Sequence, residues 1–507
     1  MSMKTLGIGC CALLVLLTGV MSPRAQTPSP ASRRVVQAGL GAIDNGVRLG
    51  EAVAAQWTAA QFDEPGEYVP GRVIVKLRDT FPSTVLASVA DSVGAAVTPP
   101  LPYANFRVLT IGADEDPELT AAGLAQRPEV EYAQAAYRAH FHYVPNDPLY
   151  ASQWNFPAID MERAWDINPG ADSDVVVAVL DSGVAFENAI VQYDTLPINV
   201  VGPGGVMQRI EHGRISVPYA AAPDLVAPGR IVAPFDFTWN DSHPFDTLGH
   251  GTHVAGTIGQ LTGNSLGAAG MAFNVRIMPV KVAAGGPWDF VFRAPSPFFS
   301  DEQVARAIRY AADNGAKAIN MSFGRGGAAA PVVEDAIRYA VSRGAFCVFS
   351  AGNSALAGSP PERYAEIATR VNGAVAVGAI GPSLNRARYS SVGSWVELSA
   401  PGGDTFMVGP TGGILQQTLD MSFFALPFTP PRFDVVVYSA QQGTSMAAPH
   451  VTGFAALLVQ QGITSPAAIE DAMKRYATDR GSAGRDDEYG AGIINPRATL
   501  RGMGLAR

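Results

Sequence analysis

The second half of the chain alternates short apolar runs with stretches whose apolar residues recur every three to four positions. Val175 to Leu180 is a continuous apolar run, which predicts a strand buried on both faces of a parallel sheet. Similar runs lie at 275–282, 318–322, 345–350 and 374–377. Strands that alternate with helices predict an α/β fold, here a doubly wound and mostly parallel sheet.

Two helices are predicted between these strands. Ser300 and Gln303 fit an N-terminal capping box, and the helix that follows carries one apolar stripe: Val304, Ala307, Ile308 and Ala311. A second helix carries a similar stripe: Val333, Ala336, Ile337 and Ala340. Gly315 and Gly344 are placed to end them.

A smaller pattern precedes this region and predicts a separate α+β unit of the ferredoxin-like type. Its predicted strands are 72–77, 106–111 and 130–136, and its predicted helices are 86–93 and 119–126. We expect five segments in all: a signal peptide (1–25), a stretch without assigned fold (26–66), the small unit (67–139), a polar linker (140–148) and the α/β domain (149–507).

The first residues are typical of an export signal. Lys4 precedes an apolar run from Leu6 to Val20, and a polar stretch follows. The run is shorter than the roughly 20 residues that span a bilayer as a helix, so a retained anchor is the less favoured alternative. We expect no stable membrane anchor, and export to the periplasm or the medium.

Composition excludes several classes of protein. With 36 Lys and Arg against 45 Asp and Glu the formal charge is −9, so a nucleic-acid binder with a basic surface is excluded. The hydrophobic share of 47% excludes disorder of the whole chain. Cys10 and Cys11 leave with the signal, so Cys347 has no intramolecular disulfide partner. Its apolar surroundings predict a core thiol and not a nucleophile.

Two motifs place titratable side chains beside predicted elements. Asp181 follows the first apolar run, at the strand end where functional groups of α/β sheets gather, although an Asp that opens a turn is also common. The stretch Gly249-His250-Gly-Thr-His253 opens a helix among small residues. No Glu lies between the two His, so the His-Glu-x-x-His zinc pattern is absent. We interpret one His as a base and the other as structural.

Two further motifs carry a hydroxyl and an amide. Ser445, in Gly443-Thr-Ser-Met446, precedes an apolar helix, where a Ser is usually a cap. Its small neighbours would nevertheless let a substrate carbonyl approach. Asn353, in Ser350-Ala-Gly-Asn353, lies just past a buried strand and by itself would indicate only a turn.

Together these residues resemble the subtilisin-like serine peptidases, the subtilases, in which Asp, His and Ser follow one another in this order. The resemblance extends from about Asn146 onward and includes further matches at 319–324, 389–393, 400–402 and 489–495. It implies a serine endopeptidase in which Ser445 attacks a peptide carbonyl, His250 transfers the proton and Asp181 orients the imidazole. It also implies that Asn353 stabilises the oxyanion and that His253 and His450 are structural.

The resemblance also suggests how substrate is held and how activity is controlled. Two segments correspond to those that hold substrate backbone in the family: Ser322, Phe323 and Gly324, and Ser350, Ala351 and Gly352. Ser354 stands where some relatives carry an acid, so nothing there indicates a basic substrate pocket. The unit 67–139 resembles an inhibitory propeptide, and we expect self-cleavage between His140 and Asn146. The expected partners are polypeptide substrates and the propeptide, and the expected mature protein is a monomer.

No cofactor is required for the chemistry, but family analogy implies structural Ca²⁺. Asn264, in the loop 262–268, resembles one calcium site, and Asp236 with Asp241 suits another, although Trp239 and Phe245 stand where relatives offer oxygen. Insertions at about 200–233, 285–299 and 404–438 are expected to enlarge loops. The competing hypothesis is a catalytically silent binding protein on the same fold. An α/β-hydrolase esterase would need Gly-x-Ser-x-Gly, which is absent around Ser445.

Overall fold

The computed structural model describes residues 35–38, 68–112, 115–137, 143–201, 206–283, 287–296, 299–421 and 430–502. The predicted signal peptide and residues 140–142 of the predicted linker lie outside these residues. The chain divides into two compact units: Met1–Ala52 with Pro145–Met161 and Asn168–Thr499, and Val53–Val144 with Glu162–Ile167 and Leu500–Arg507. The first strand, β1 (Val35–Ala38), lies in the stretch to which the sequence assigns no fold.

The smaller unit contains the predicted α+β pattern. Its elements are β2 (Tyr68–Leu77), α1 (Val85–Asp91), β3 (Ala96–Val97), β4 (Arg107–Thr110), α2 (Pro117–Ala125) and β5 (Val130–Tyr137). The sheet is antiparallel in the order β3-β4-β2-β5, which confirms the ferredoxin-like arrangement. The predicted helix stripe faces this sheet, since Leu86 and Val89 join one buried cluster with Val73 and Leu109.

The remaining elements follow in chain order. They are α3 (Asn155–Ala158), α4 (Met161–Trp165), β6 (Val176–Asp181), β7 (Ala189–Asp194), β8 (Ile198–Val201), β9 (Met207–Ile210), β10 (Arg214–Tyr219), β11 (Phe235–Asp236), α5 (His250–Gly259), β12 (Arg276–Lys281), α6 (Pro287–Val291), α7 (Asp301–Asp313), β13 (Ala318–Met321), α8 (Pro331–Ser342), β14 (Phe346–Ser350), α9 (Ala365–Ala368), β15 (Ala374–Ile380), β16 (Leu398–Pro401), α10 (Thr405–Val408), β17 (Ile414–Leu419), β18 (Val436–Gln441), α11 (Thr444–Gln460), α12 (Pro466–Arg475) and α13 (Pro496–Gly502).

A seven-stranded parallel sheet forms the centre of the larger unit, in the order β11-β12-β6-β13-β14-β15-β16. Every residue of β6 is buried, as expected for a strand covered on both faces. Leu180 of β6 pairs in register with Met321 of β13. Asp181 directly follows Leu180, and Ser322 directly follows Met321. Asp181 and Ser322 therefore lie side by side at the carboxyl edge of the sheet.

Helices α7 and α8 cover one face of this sheet. Ser300 caps α7 by accepting a hydrogen bond from the Gln303 backbone N–H at 3.3 Å, as predicted. The two predicted apolar stripes share one buried cluster with Val176, Ala178 and Leu180. The alternate β6 residues are also buried, and α5 and α11 pack against the sheet. The doubly wound fold is confirmed.

Two of the insertions form strands where the sequence predicts only enlarged loops, and the described part of the insertion at 285–299 contains the short helix α6. β7 pairs antiparallel with β10 and β1, β8 pairs with β9, and β17 pairs with β18. Hydrophobic patterning gives little signal for β17 because its buried residues include Gln416, Gln417 and Thr418. Hydrogen bonds from Gln416 Nε2 to the Ala269 carbonyl (2.8 Å) and from Gln417 Nε2 to the Tyr438 hydroxyl (3.1 Å) compensate part of this burial, while Gln416 Oε1 has no partner among the described residues. Among the described residues, no helix has the length and hydropathy needed to span a bilayer.

Candidate active site

Asp181 and His250 form a hydrogen-bonded pair at the carboxyl edge of the sheet. The His250 Nδ1–H donates to Asp181 Oδ1 at 2.7 Å, and the Ser182 backbone N–H donates to the same oxygen at 2.7 Å. The pair depends on Gly251, where a Cβ would collide with the Gly183 carbonyl and the Asp181 side chain. The small residues around His250 therefore let α5 begin directly against the end of β6.

The pKa of His250 lies above its ordinary value of 6.5. Burial alone would lower this pKa, but the charge and hydrogen bond of Asp181, together with the charge of Asp246, reverse the effect. The imidazole is 26% exposed whereas the Asp181 side chain is only 4% exposed. The outer nitrogen of the ring is therefore free to exchange protons with a bound molecule while Asp181 holds the inner one.

Asp246 organises the chain on both sides of this pair, a role that sequence reasoning missed. Its Oδ1 accepts hydrogen bonds from Ser182 Oγ (2.9 Å) and from the Leu248 and Gly249 backbone N–H groups (2.9 and 2.8 Å). Its Oδ2 accepts from the Thr252 N–H (3.0 Å) and hydroxyl (2.6 Å). One buried carboxylate thus ties the residue after Asp181 to the start of α5.

Replacing Asp246 by Asn is expected to shift the acid limb of the kcat/KM pH profile to lower pH by about half a unit, because one charge that raises the His250 pKa is removed. Folding stability should fall by about 1–3 kcal/mol, since an Asn NH₂ opposite Thr252 cannot accept its hydrogen bonds. Rates at varied pH and thermal unfolding measure the two effects. An unchanged pH profile would show that Asp246 acts on the fold alone.

Ser445 lies in the first turn of α11, beside the end of β13. Its hydroxyl donates to the Ser322 carbonyl at 3.1 Å, and Ser322 Oγ donates to the Ser445 carbonyl at 2.8 Å. In the part of the chain that the structure describes, no hydrogen bond joins the Ser445 hydroxyl to His250. The two side chains are nonetheless held at adjacent strand ends, since Ser322 and Asp181 are neighbours across β13 and β6.

Asn353 is exposed beside the start of α11 with its amide oriented by Thr444. Its Oδ1 accepts hydrogen bonds from the Thr444 N–H (2.9 Å) and hydroxyl (2.8 Å), which directs its NH₂ group away from that residue. Gly443 has φ = +154°, and a Cβ there would lie 3.5 Å from Asn353 Nδ2. The glycine therefore leaves the approach to this amide open.

The two segments expected to hold substrate backbone differ in the structure. The Ala351 N–H donates a hydrogen bond to the Val377 carbonyl (3.0 Å), and the Ala351 carbonyl accepts one from Trp395 Nε1 (3.0 Å). The Gly352 N–H donates to Thr444 Oγ1 (3.2 Å), and the Gly352 carbonyl accepts from the Ser391 N–H (2.9 Å). Among the described residues, no hydrogen bond engages the backbone of Phe323 or Gly324. The backbone of residues 322–324 can therefore form hydrogen bonds with an extended peptide. The backbone groups of Ala351 and Gly352 are already bonded, so the segment 350–352 forms the opposite wall of the substrate cleft.

His253, His450 and Cys347 lie in the core. His253 Nε2 contacts the carbonyls of Ile414 (2.9 Å) and Ser439 (3.1 Å), and His450 lies between Asn155 Nδ2 and the Met446 carbonyl, each at 2.9 Å. Burial lowers the pKa of both imidazoles to about 4, so both are neutral near pH 7. Cys347 is fully buried, and burial raises the pKa of its thiol. None of the three is placed to react.

Asn264 belongs to a cluster of oxygen-bearing side chains. Its Nδ2 donates to the buried Asp224 carboxylate at 2.8 Å. Asp147 reaches the same loop, accepting from the Gly263 N–H at 2.8 Å, while its buried Oδ1 has no hydrogen-bond partner among the described residues. Sequence reasoning missed both carboxylates because they lie far from this loop in the chain.

Asp236 and Asp241 are placed differently. Asp236 Oδ1 accepts hydrogen bonds from the Thr238 N–H and hydroxyl and from the Trp239 N–H, and Asp241 Oδ1 accepts from the His243 N–H at 2.9 Å. These oxygens therefore hold turns, and calcium binding here stays a prediction. In the residues covered by the structure, no group of three or more His, Cys, Asp or Glu could hold a metal ion.

Comparison with known proteins agrees with this geometry. The profile of the subtilase family, Peptidase_S8, matches residues 172–492, and that of the fervidolysin N-terminal prodomain matches residues 55–135. A thermophilic serine proteinase of Bacillus sp. (strain AK1) is 31% identical over 431 residues, covering 84% of this chain and 87% of that protein.

Two further relatives extend the comparison. An extracellular protease of Xanthomonas campestris pv. campestris is 29% identical over 443 residues, covering 82% of this chain and 69% of that protein. The solved structure of a protease from Pseudoalteromonas arctica superposes with a TM-score of 0.53 at 27% identity, covering 71% of this chain and 99% of that one. The chain therefore belongs to the subtilase family, as a serine endopeptidase that carries an N-terminal prodomain.

Proposed function

We propose that the protein is a secreted endopeptidase that cleaves polypeptides through an acyl-enzyme formed on Ser445, with His250 as base and acid and Asp181 as its partner. The observation that carries the proposal is the Asp181–His250 hydrogen bond of 2.7 Å at the strand end beside Ser445. The prodomain match and the extracellular relative support secretion as a precursor.

The first half of the reaction forms the acyl-enzyme. Rotation of the Ser445 hydroxyl away from the Ser322 carbonyl would direct it to the outer nitrogen of His250. As the Ser445 oxygen bonds to the substrate carbonyl carbon, its proton passes to His250, and Asp181 stabilises the imidazolium. The Asn353 NH₂ and the Ser445 backbone N–H are the donors proposed for the oxyanion.

The second half releases the products. His250 gives its proton to the leaving amine when the peptide C–N bond breaks, so the imidazole becomes neutral again. A water molecule then loses a proton to His250 and attacks the ester carbonyl. The Ser445 oxygen leaves with that proton, and the carboxylic acid product departs.

A fluorophosphonate probe, which reacts with activated serine hydroxyls, tests the proposed function. The matured protein is expected to take up one probe per chain, and Ser445→Ala is expected to take up none. Ser322→Ala is not a suitable control because Ser322 contacts Ser445 directly, whereas Ser354→Ala, on the exposed turn after Asn353, should label as the unaltered protein does. A folded mature protein that takes up no probe would instead indicate a catalytically silent binding protein.

The small unit is proposed to act as an intramolecular inhibitor that is removed by self-cleavage between His140 and Asn146. The support is the prodomain match at residues 55–135, which begins upstream of the boundary expected at residue 67. Polypeptides are the substrates.

We further propose that a structural Ca²⁺ binds where Asp147, Asp224 and Asn264 converge. The buried Asp147 Oδ1 lacks a hydrogen-bond partner, and the Asp224 carboxylate is fully buried without an ion pair among the described residues. A hard cation bound by the two carboxylates would compensate both costs, and the Asn264 amide would turn so that its oxygen and not its Nδ2 faces the ion. The ion would stabilise the fold and take no part in peptide hydrolysis.

Removal of calcium by EGTA at pH 8, followed by exchange into calcium-free buffer at each pH, is expected to lower the melting temperature more at pH 8 than at pH 5. Burial raises the pKa of Asp224 from 3.8 to about 6, so without calcium the folded protein binds more protons than the unfolded chain between these values. The contribution of the Asp224 carboxyl group to folding stability, about 3 kcal/mol, is therefore fully present below about pH 4 and is lost as the pH rises through 6.

Calcium would replace the missing proton at high pH, which predicts the larger effect of chelation there. Calorimetry of the calcium-free and the calcium-saturated protein at each pH measures the difference. Asp147→Asn should remove it, because that variant loses a proposed ligand. Equal losses of melting temperature at both pH values would contradict the calcium proposal.

A further inference from the structure

Glu362 lies behind the gap between the segments 322–324 and 350–352. These two segments flank the Ser445 hydroxyl and the Asn353 amide. A Cβ on Gly324 would collide with the Glu362 carboxylate, and a Cβ on Gly352 would lie 3.7 Å from Glu362 Cβ. Gly324 belongs to the segment with free backbone groups and Gly352 to the opposite wall. The carboxylate therefore reaches the space between them from below.

A bound peptide would place one particular side chain in this gap. The scissile carbonyl must lie between Ser445 and Asn353 in the proposed reaction. Ser445 is hydrogen-bonded to Ser322 at the start of one segment, and Asn353 directly follows the other. The residue that carries the carbonyl is thus at the mouth of the gap, and its side chain points between the two glycines towards Glu362.

The charges around Glu362 leave it as an uncompensated anion. Arg325 is paired with Asp301, donating from Nε at 2.7 Å and from Nη2. Arg363 is paired with Glu366 at 2.8 Å. With each of these cations matched by its own carboxylate, the group of five charged side chains has a net charge of −1, which lies on Glu362.

Glu362 has the surroundings of a carboxylate that is held in place but still accessible. The backbone N–H of Arg325 donates to its Oε1, and those of Arg363 and Tyr364 also favour its charged form. Burial nonetheless raises the pKa of Glu362, so the anion is only partly solvated. Its side chain is half-buried, and no ion pair to it is found among the residues that the structure describes.

We propose that Glu362 makes the enzyme prefer a Lys or Arg residue immediately before the scissile bond, by pairing with its cation at the floor of this gap. The inference rests on the proposed function, because it uses the position of the scissile carbonyl. Sequence reasoning looked for an acid at Ser354 and found none. The acid comes instead from a position nine residues after Asn353, brought there by the turn of residues 354–364.

The test uses matured protein and short peptide anilides that differ only in the residue before the scissile bond. Lys and norleucine have closely similar shapes, so their ratio of kcat/KM isolates the charge. We expect Lys to exceed norleucine by about 10- to 100-fold, the range for a hydrogen bond to a charged group. In Glu362→Gln the ratio should fall to about 1, while kcat/KM for norleucine should change by less than about threefold.

Glu302→Gln is the matched control. It removes an exposed carboxylate that is paired with Arg306 and belongs to none of the five charged side chains around Glu362, and it should keep the preference for Lys. The fluorophosphonate labelling rate shows for each variant that the Ser445 site is folded. If the unaltered enzyme prefers norleucine, or if Glu362→Gln keeps the preference for Lys, then Glu362 only closes the gap and the inference is wrong. Absence of both labelling and cleavage would instead overturn the proposed function.

Discussion

Ser445→Ala is expected to lower kcat for peptide hydrolysis by about 10⁶-fold. Without the hydroxyl no acyl-enzyme forms, and only the contribution of substrate binding and oxyanion stabilisation remains. The fold should hardly change, because within the described part of the chain the Ser445 hydroxyl makes one hydrogen bond, to the Ser322 carbonyl. Steady-state hydrolysis of a peptide anilide by the variant and by the unaltered protein measures the loss.

Thermal unfolding of the same variant separates chemistry from folding. A stability change of about 0.5 kcal/mol or less is expected for a side chain with so few contacts. A large loss of stability would mean that the activity loss reflects misfolding. Residual activity above about 1% in a well-folded variant would show that another group is the nucleophile.

The same variant tests self-processing of the precursor. Purified Ser445→Ala precursor should remain uncut, whereas added active enzyme should cleave it between His140 and Asn146. Mass spectrometry of the new N-terminus identifies the bond. If the variant precursor matured without any added protease, self-cleavage would be wrong.

Asp181→Asn is expected to have the second largest effect, a fall in kcat of about 10⁴-fold with little change in KM. The Asn oxygen can keep the hydrogen bonds from His250 and Ser182, but the variant loses the charge that stabilises the imidazolium. The same change removes a charge that raises the His250 pKa, so the acid limb of the pH profile should move to lower pH.

Asp246→Asn provides the comparison for this prediction. It also removes a buried carboxylate near His250, but one that does not contact the ring, so its effect on kcat should be far smaller. If both variants lost the same fraction of kcat, the main role of Asp181 would not be the electrostatic support of His250. A rise in KM with constant kcat in Asp181→Asn would contradict the assignment as well.

Patterns carried by neighbouring residues predict the fold well. The strand β6 is apolar throughout because both of its faces are buried, and α7 is bounded by a capping Ser300 and by Gly315 with φ = +85°. Each of these signals lies within one element and needs no knowledge of tertiary contacts. The doubly wound sheet and the positions of Asp181 and His250 follow from them.

The parts that could not be predicted depend on contacts between distant residues. Asp246 and Glu362 look like ordinary surface acids in the sequence, yet one binds five donors around His250 and the other lies beside Gly324. Gln416 and Thr418 are buried polar residues of β17 whose partners are backbone carbonyls elsewhere. Hydrophobic periodicity carries no information about such pairs.

The pairing of Ser445 with substrate is the part of the site that depends on movement. Its hydroxyl donates to the Ser322 carbonyl in this structure, while attack on a peptide requires it to face His250. The Ser322 hydroxyl donates to the Ser445 carbonyl and so stabilises the turn that carries Ser445. Asn320 Nδ2 orients this hydroxyl by donating to it at 2.9 Å. The main chain around Ser445 is therefore fixed, and only the hydroxyl needs to rotate.

A crystal structure of the matured protein with a fluorophosphonate tests the whole assembly in one measurement. The adduct is expected on the Ser445 oxygen, its phosphoryl oxygen within hydrogen-bond distance of the Asn353 amide and the Ser445 N–H, and the His250 ring still bonded to Asp181. Phosphorus attached to another residue, or a phosphoryl oxygen that points away from Asn353, would contradict the account.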